Sequence, residues 1–230
     1  MLKYINLAFL IFIFNTAFAQ KDKPCGFKDG LQEGTCKQFY DSGKIKSTEI
    51  WKKGKREGIA TYYHENGQIK TTGNYTKDKK NGPWKYFYEN GVLEFDENYV
   101  YREFTEIKEG VFKKYYSNGK LELTRTYVDD KRSGLETTYY ENGNIKSVGN
   151  FKNDLQDGEW KFYYENGNLE DVSGWKDNLP HGKQTSYHKN GKIECTVMCV
   201  AGKREGEKLC YDDKGNLTSK DIFKNNVKMK

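Results

Sequence analysis

The sequence predicts an all-β protein, an elongated single-layer antiparallel sheet built from about eight tandem β-hairpin repeats of 24 residues. Three observations predict it. A glycine recurs at Gly34, Gly58, Gly82, Gly110, Gly134, Gly158, Gly182 and Gly206, 24 residues apart except for one interval of 28. With that glycine as position 0, every unit carries an aromatic at position 5, a second glycine at position 9 and Ile or Leu at position 11. Position 17 is aromatic in all units but one: Trp51, Tyr75, Tyr99, Tyr127, Phe151, Trp175 and Phe223, with Cys199 as the exception. Fixed periods of this length are the mark of stacked repeats, each too small to bury an apolar face alone.

The first segment, residues 1–19, differs in composition from all that follows. Lys3 precedes an apolar run from Leu7 to Phe14, and Ala17-Phe18-Ala19 is a small-x-small cleavage pattern. This reads as a secretory signal peptide, with an uncleaved anchor as the alternative; the run is short for a membrane span. Residues 20–33 are expected to form an N-terminal half-repeat, since Phe27 falls where position 17 of a preceding unit would be. The array then occupies residues 34–230 and ends in a capping unit in which Cys210-Tyr211-Asp212 replaces the usual aromatic pair.

Within a unit, a first strand is expected over about positions 1 to 6. The x-Asn-Gly step at positions 7 to 9 is a three-residue turn with glycine in the left-handed conformation, and a second strand follows to about position 18. Pairing of position 5 with position 11 would place all odd positions, including the rings at 5 and 17, on one buried face. The interval of 28 is even, so its four extra residues leave that alternation intact.

Composition narrows the function classes. The chain is 35% hydrophobic, 31% charged and 15% aromatic, with a net charge of +6 in which both signs are interspersed. No run of like charge suggests a nucleic-acid arm, and beyond the leader no second apolar stretch suggests a span in the mature form. No cofactor, metal site or catalytic residue is expected. His64 and His188 occupy the same slot five units apart, about 50 Å at roughly 4.8 Å per strand, and are expected to be solvated replacements for tyrosine. Gly-Lys-Arg-Glu-Gly, at 54–58 and 202–206, lacks the form of a phosphate loop and reads as the inter-unit loop. An enzyme is therefore not expected.

Five cysteines cluster at the two ends of the array. In unit coordinates Cys25 and Cys36 sit at 15 and 26, and Cys195 and Cys210 at 13 and 28. Both pairs sum to the same value, as partners across one antiparallel inter-unit register would. Disulfides Cys25–Cys36 and Cys195–Cys210 are predicted, leaving Cys199 free; Cys199–Cys210 is the competing pair, and strict odd-position burial would prefer a sum larger by one.

Position 6 reads Tyr40, His64, Tyr88, Tyr116, Tyr140, Tyr164, His188 and Asp212. Its neighbour at position 5 is assigned to the buried face, so Tyr40, Tyr88, Tyr116, Tyr140 and Tyr164 form a candidate binding ladder on the other face. Trp84 and Trp160, both at position 2, are placed with them. Rows of tyrosine and tryptophan supply the amphipathic area that partner recognition uses. The competing reading is that the rings pack on lysine stems and on one another.

Segments such as Tyr139-Tyr140-Glu141-Asn142-Gly143-Asn144-Ile145, continuing to Gly149-Asn150-Phe151, resemble the bacterial variant of the MORN repeat (membrane occupation and recognition nexus). The resemblance implies a hairpin-repeat scaffold. Variant members are often labelled as antitoxin components, and other MORN arrays as protein-interaction or lipid-contacting modules. The expected function is thus an exported scaffold for an unknown protein partner. The alternatives are an antitoxin-like or immunity-type inhibitor, or a binder of envelope glycan or lipid. Localisation is expected to be periplasmic, cell-surface or secreted.

Overall fold

The computed structural model describes residues 25–230, so the leader and the start of the half-repeat lie outside the described residues. Those described form one open antiparallel sheet of 21 strands without helix, in which successive strands pair in a continuous meander. The first hairpin joins Leu31–Phe39 to Ile45–Lys52, the second Lys55–Tyr63 to Ile69–Thr76, the third Lys79–Phe87 to Leu93–Arg102, and the pattern continues to Leu217–Lys224. The all-β repeat architecture is as predicted.

Each hairpin turn is the three-residue loop the sequence implies. In the first unit Gly43 takes φ +81°, its N–H donates to the Tyr40 carbonyl, and the Tyr40 N–H donates to Lys44. In the six middle units asparagine precedes the turn glycine, for two reasons. The Asn66 carboxamide oxygen accepts the Gln68 N–H at 2.9 Å, and its Nδ2 donates to the Glu89 carbonyl of the next unit at 2.7 Å. Asn90, Asn142 and Asn190 repeat the arrangement.

The connections between units are hairpins too, not loops. Lys52 pairs with Lys55 across Lys53-Gly54, both at positive φ (51° and 75°), the two-residue turn whose twist matches that of its strands. Residues 54–58 and 202–206 are therefore corrected from loop to turn plus strand. Their repeated Gly-Lys-Arg-Glu-Gly is structural. The Glu57 carboxylate accepts the Lys77 N–H of the next turn at 2.8 Å, and Gly58 takes φ +115° at an irregularity in the register. The 28-residue interval lengthens one of these hairpins by two pairs, Tyr101↔Glu106 and Arg102↔Thr105, so the alternation survives as expected.

The expectation that all odd positions share a face is overturned. Position 5 does pair with position 11, as in Phe39↔Ile45, but the next pair is Gln38↔Ser47, so position 12 is a bulge in each hairpin. One unpaired residue reverses the parity of everything beyond it. The packed face therefore holds positions 2 and 4 of the first strand with positions 13, 15 and 17 of the second. Trp84, Trp160, Ala60, Ser47, Glu49, Tyr75, Tyr99 and Phe151 are buried there. Ile45, Ile69 and Ile145 at position 11 are each about two-fifths exposed.

The same parity explains the disulfides. Cys195 and Cys210 are direct cross-strand partners, and the bridges are Cys25–Cys36 and Cys195–Cys210, as predicted, with Cys199 free and buried. Once the bulge has shifted the second strand, odd positions there face even positions of the following strand. The sum of the coordinates then takes the value the cysteines show.

Candidate functional site

The packed face of a one-layer sheet must cover itself, and aromatic stacking does so. Tyr75 meets Trp84 edge-on at 4.9 Å, Trp84 lies 6.4 Å from Tyr86, and Tyr86 stacks on Phe95 at 4.1 Å. Phe95, Phe112 and Tyr127 continue the row, and Phe151, Trp160 and Phe162 form a second cluster. In five of the eight units the residue two before the position-0 glycine is Arg or Lys, and this cation roofs the position-17 ring of its own unit. Arg56 lies 3.9 Å from the Tyr75 centroid, Arg132 3.9 Å from Phe151 and Arg204 4.7 Å from Phe223. The recurrence of Arg or Lys at this position was visible in the sequence, and sequence reasoning passed over it.

Lys80 is the most enclosed of these cations. Its ammonium lies 4.8 Å from the Trp84 ring, 4.7 Å from Tyr99 and 5.3 Å from Tyr86, and it donates to the Tyr86 hydroxyl at 2.6 Å. Burial lowers its pKa, opposed by the Glu97 and Glu106 carboxylates. Glu97, itself buried, receives Lys108 at 2.8 Å and the Tyr99 hydroxyl at 2.7 Å. Burial alone would raise its pKa; the hydrogen bonds from Lys108, Tyr99 and Tyr86 outweigh that and lower it. Glu136 contrasts with it: burial raises its pKa despite Arg125 at 2.9 Å.

The tyrosines at position 6 hold the units together. The Tyr40 hydroxyl donates to the Tyr63 carbonyl at 2.6 Å, Tyr88 to Tyr115 at 2.8 Å, Tyr116 to Tyr139 at 2.6 Å, Tyr140 to Tyr163 at 2.7 Å and Tyr164 to Tyr187 at 2.7 Å. His64 and His188 make the same link through Nε2, at 2.8 Å to Phe87 and 2.9 Å to Tyr211. These two histidines are half-buried members of the ladder, which corrects the expectation of solvated side chains. Asp212 instead closes its own turn, accepting the Asn216 N–H at 2.7 Å. Burial first, then neighbouring carboxylates, raise the pKa of Tyr88, Tyr116, Tyr140 and Tyr164, so the hydroxyls remain donors.

Position 6 does share a face with position 2, but it is the packed face rather than an open one. Trp84 and Trp160 are 1% and 3% exposed and offer no free surface of their own, a correction to their placement on an open ladder. Two grooves open beside the ladder. One, of about 260 Å³, is lined by Tyr40, Tyr62, Tyr63, Lys46 and Lys70 over the edge of Trp84. The other, of about 590 Å³, lies between Tyr116, Phe112, Leu123, Arg125 and Lys146. Lys46, Lys70 and Lys146 all occupy the bulge at position 12, which the sequence reading did not single out.

The family model described as "MORN repeat variant" matches residues 32–53, 56–77, 80–101, 108–129, 132–153, 156–176 and 180–198. No curated protein matches the chain. Among solved structures, a TcdB2-TccC3 crystal structure aligns at 12% identity over 83% of this chain with a TM-score of 0.23. The chain spans about 11% of that protein's length. A porin-like protein from Bacteroides uniformis aligns at 11% identity, over 84% of this chain and 91% of its own, with a TM-score of 0.19. Seven consecutive matched units, each a hairpin with the same bulge and the same links to the next, place this chain in the MORN repeat variant family.

Proposed function

We propose that the protein is an exported, non-enzymatic scaffold that holds a partner protein along the packed face of its repeat sheet. The observation that carries the reading is the groove beside Tyr40, where rings and lysines border an open channel on a lattice locked from unit to unit. Side chains already immobilised lose little entropy on contact, which favours association. A scaffold rather than a catalyst is supported by where the repeated polar groups go. The tyrosines, histidines and asparagines that recur are each engaged with the next unit, whereas acid–base chemistry needs groups converging on one point.

Export is supported by the two disulfides, because such bridges persist in oxidising compartments. No helix among the described residues is long and apolar enough to cross a membrane. Crosslinking in the native envelope fraction, followed by mass spectrometry, tests the reading. Lysine crosslinks from Lys46, Lys70 or Lys146 to one protein support it, and an array that crosslinks to no protein refutes it.

A further inference from the structure

The bulge at position 12 sets the charge of each groove. It is Lys46, Lys70 and Lys146 in the first, second and fifth units, but Glu94, Glu122, Glu170 and Glu194 in the third, fourth, sixth and seventh. A bulged residue has no cross-strand partner, so its side chain is free to lean over the groove. The first two units thus carry lysine at consecutive bulges beside Tyr40, Tyr62 and Tyr63, and no carboxylate lines that groove. Lys46 and Lys70 are exposed, and none of the ion pairs among the described residues involves either.

Three of the tyrosine hydroxyls in the groove, those of Tyr40, Tyr62 and Tyr86, are already used. Tyr40 donates to the Tyr63 carbonyl, Tyr62 to the buried Glu49 carboxylate, and Tyr86 accepts from Lys80. What remains for a ligand is largely apolar ring surface with two ammonium groups at its rim that are in no ion pair, that of Lys46 lying 5.8 Å from the Tyr40 ring centroid. A glycan would bring more hydroxyls than the groove has free polar partners, and each one buried unsatisfied weakens binding. An apolar side chain flanked by carboxylates meets both features.

Resting on the scaffold reading above, we propose that this groove docks an extended acidic segment of the partner protein. The segment places an apolar side chain on the Tyr40–Tyr63 rings and carboxylates against Lys46 and Lys70. The two lysines are one unit apart, about 10 Å at roughly 4.8 Å per strand, and an extended chain advances about 3.3 Å per residue. The carboxylates therefore lie two to four residues apart.

The test is selection of phage-displayed random 12-residue peptides on the oxidised full chain, with the best ligand then synthesised with a fluorescein label. Enriched peptides are expected to carry two acidic residues at that spacing around an apolar one. Affinity is expected to fall at least tenfold in the Lys46→Glu, Lys70→Glu double variant, to weaken with salt, and to be unchanged by Lys224→Glu. Both reversed positions are exposed, so circular dichroism should show the fold intact. Neutral or basic winners, or winners that bind the double variant as well as the parent, overturn the proposal. So does lysine-dependent binding to phosphatidylglycerol vesicles without any peptide ligand. If protein crosslinks are found but map to the opposite face, around Ile59 and Leu135, the scaffold reading stands and this docking site falls. If neither peptide nor protein binds, both fall.

Discussion

Gly73 and Trp84 face each other across the inter-unit register, and the indole fills the space a side chain at Gly73 would occupy. Trp84 is 1% exposed, and its Nε1 donates to the Asn74 carbonyl at 3.1 Å. Gly149 and Trp160 reproduce the arrangement three units on, with Nε1 donating to Asn150 at 3.2 Å. At the same register position Glu49 faces Ala60, so the volumes of the two partners are complementary.

Gly73→Ala is expected to lower stability by about 1–3 kcal/mol through overpacking, since the indole is held by its hydrogen bond and cannot retreat. Trp84→Ala should cost about 3–5 kcal/mol. The two losses should not add, because alanine at 73 clashes with nothing once the indole is gone. Chemical denaturation of the four chains of this cycle measures the coupling, and simple additivity would refute the seating of Trp84 on Gly73.

Tyr140→Phe keeps the ring and removes the hydroxyl that reaches the Tyr163 carbonyl. A loss of about 1 kcal/mol is expected, the ordinary net worth of one such bond, with slightly more if the carbonyl is left dry. Thermal unfolding checks it. An unchanged midpoint would mean that the ladder is not structural and would free its tyrosines for a binding role.

Glu97 couples stability to pH. Its carboxyl pKa is lowered in the fold, so its contribution is present above the unfolded pKa of about 4.3 and is lost as pH falls through the lower folded value. Glu97→Gln should cost about 2 kcal/mol at neutral pH, because Lys108 loses its charged partner. The gap between variant and parent should close on acidification. Denaturation midpoints across the acid range measure this, and a gap independent of pH would refute it.

Cys199 is buried, and burial raises its thiol pKa, partly opposed by Arg204. In the folded, non-reduced protein it should react with iodoacetamide far more slowly than a free thiol. Unfolding without reductant should expose one alkylation site, as read by intact mass. Reduction of Cys195–Cys210, which closes a separation of 15 residues, should cost about 3 kcal/mol on the chain-entropy model.

The sequence alone determined the class, the period and the turn within each unit, and it favoured the observed disulfide pairing while leaving Cys199–Cys210 open. These follow from local rules. A left-handed glycine such as Gly43 specifies its turn wherever it stands, an even insertion preserves alternation, and cysteines at equal coordinate sums fall opposite one another. The candidate site was only half legible. Tyr40, Tyr88, Tyr116, Tyr140 and Tyr164 were recognisable as a row, but their use was not, because a hydroxyl's partner 23 residues away is a product of stacking.

Tertiary structure alone decided which face is packed. The unpaired residue at position 12 is indistinguishable in sequence from a strand residue, yet it reverses the side on which every later side chain lies. It sends Tyr75 against the neighbouring unit's Trp84, buries Tyr99, Trp84 and Trp160, and leaves Lys46 and Lys70 over the groove. A bulge is set by competition among inter-strand hydrogen bonds, twist and packing summed over both neighbours, and no single unit's residues contain that balance.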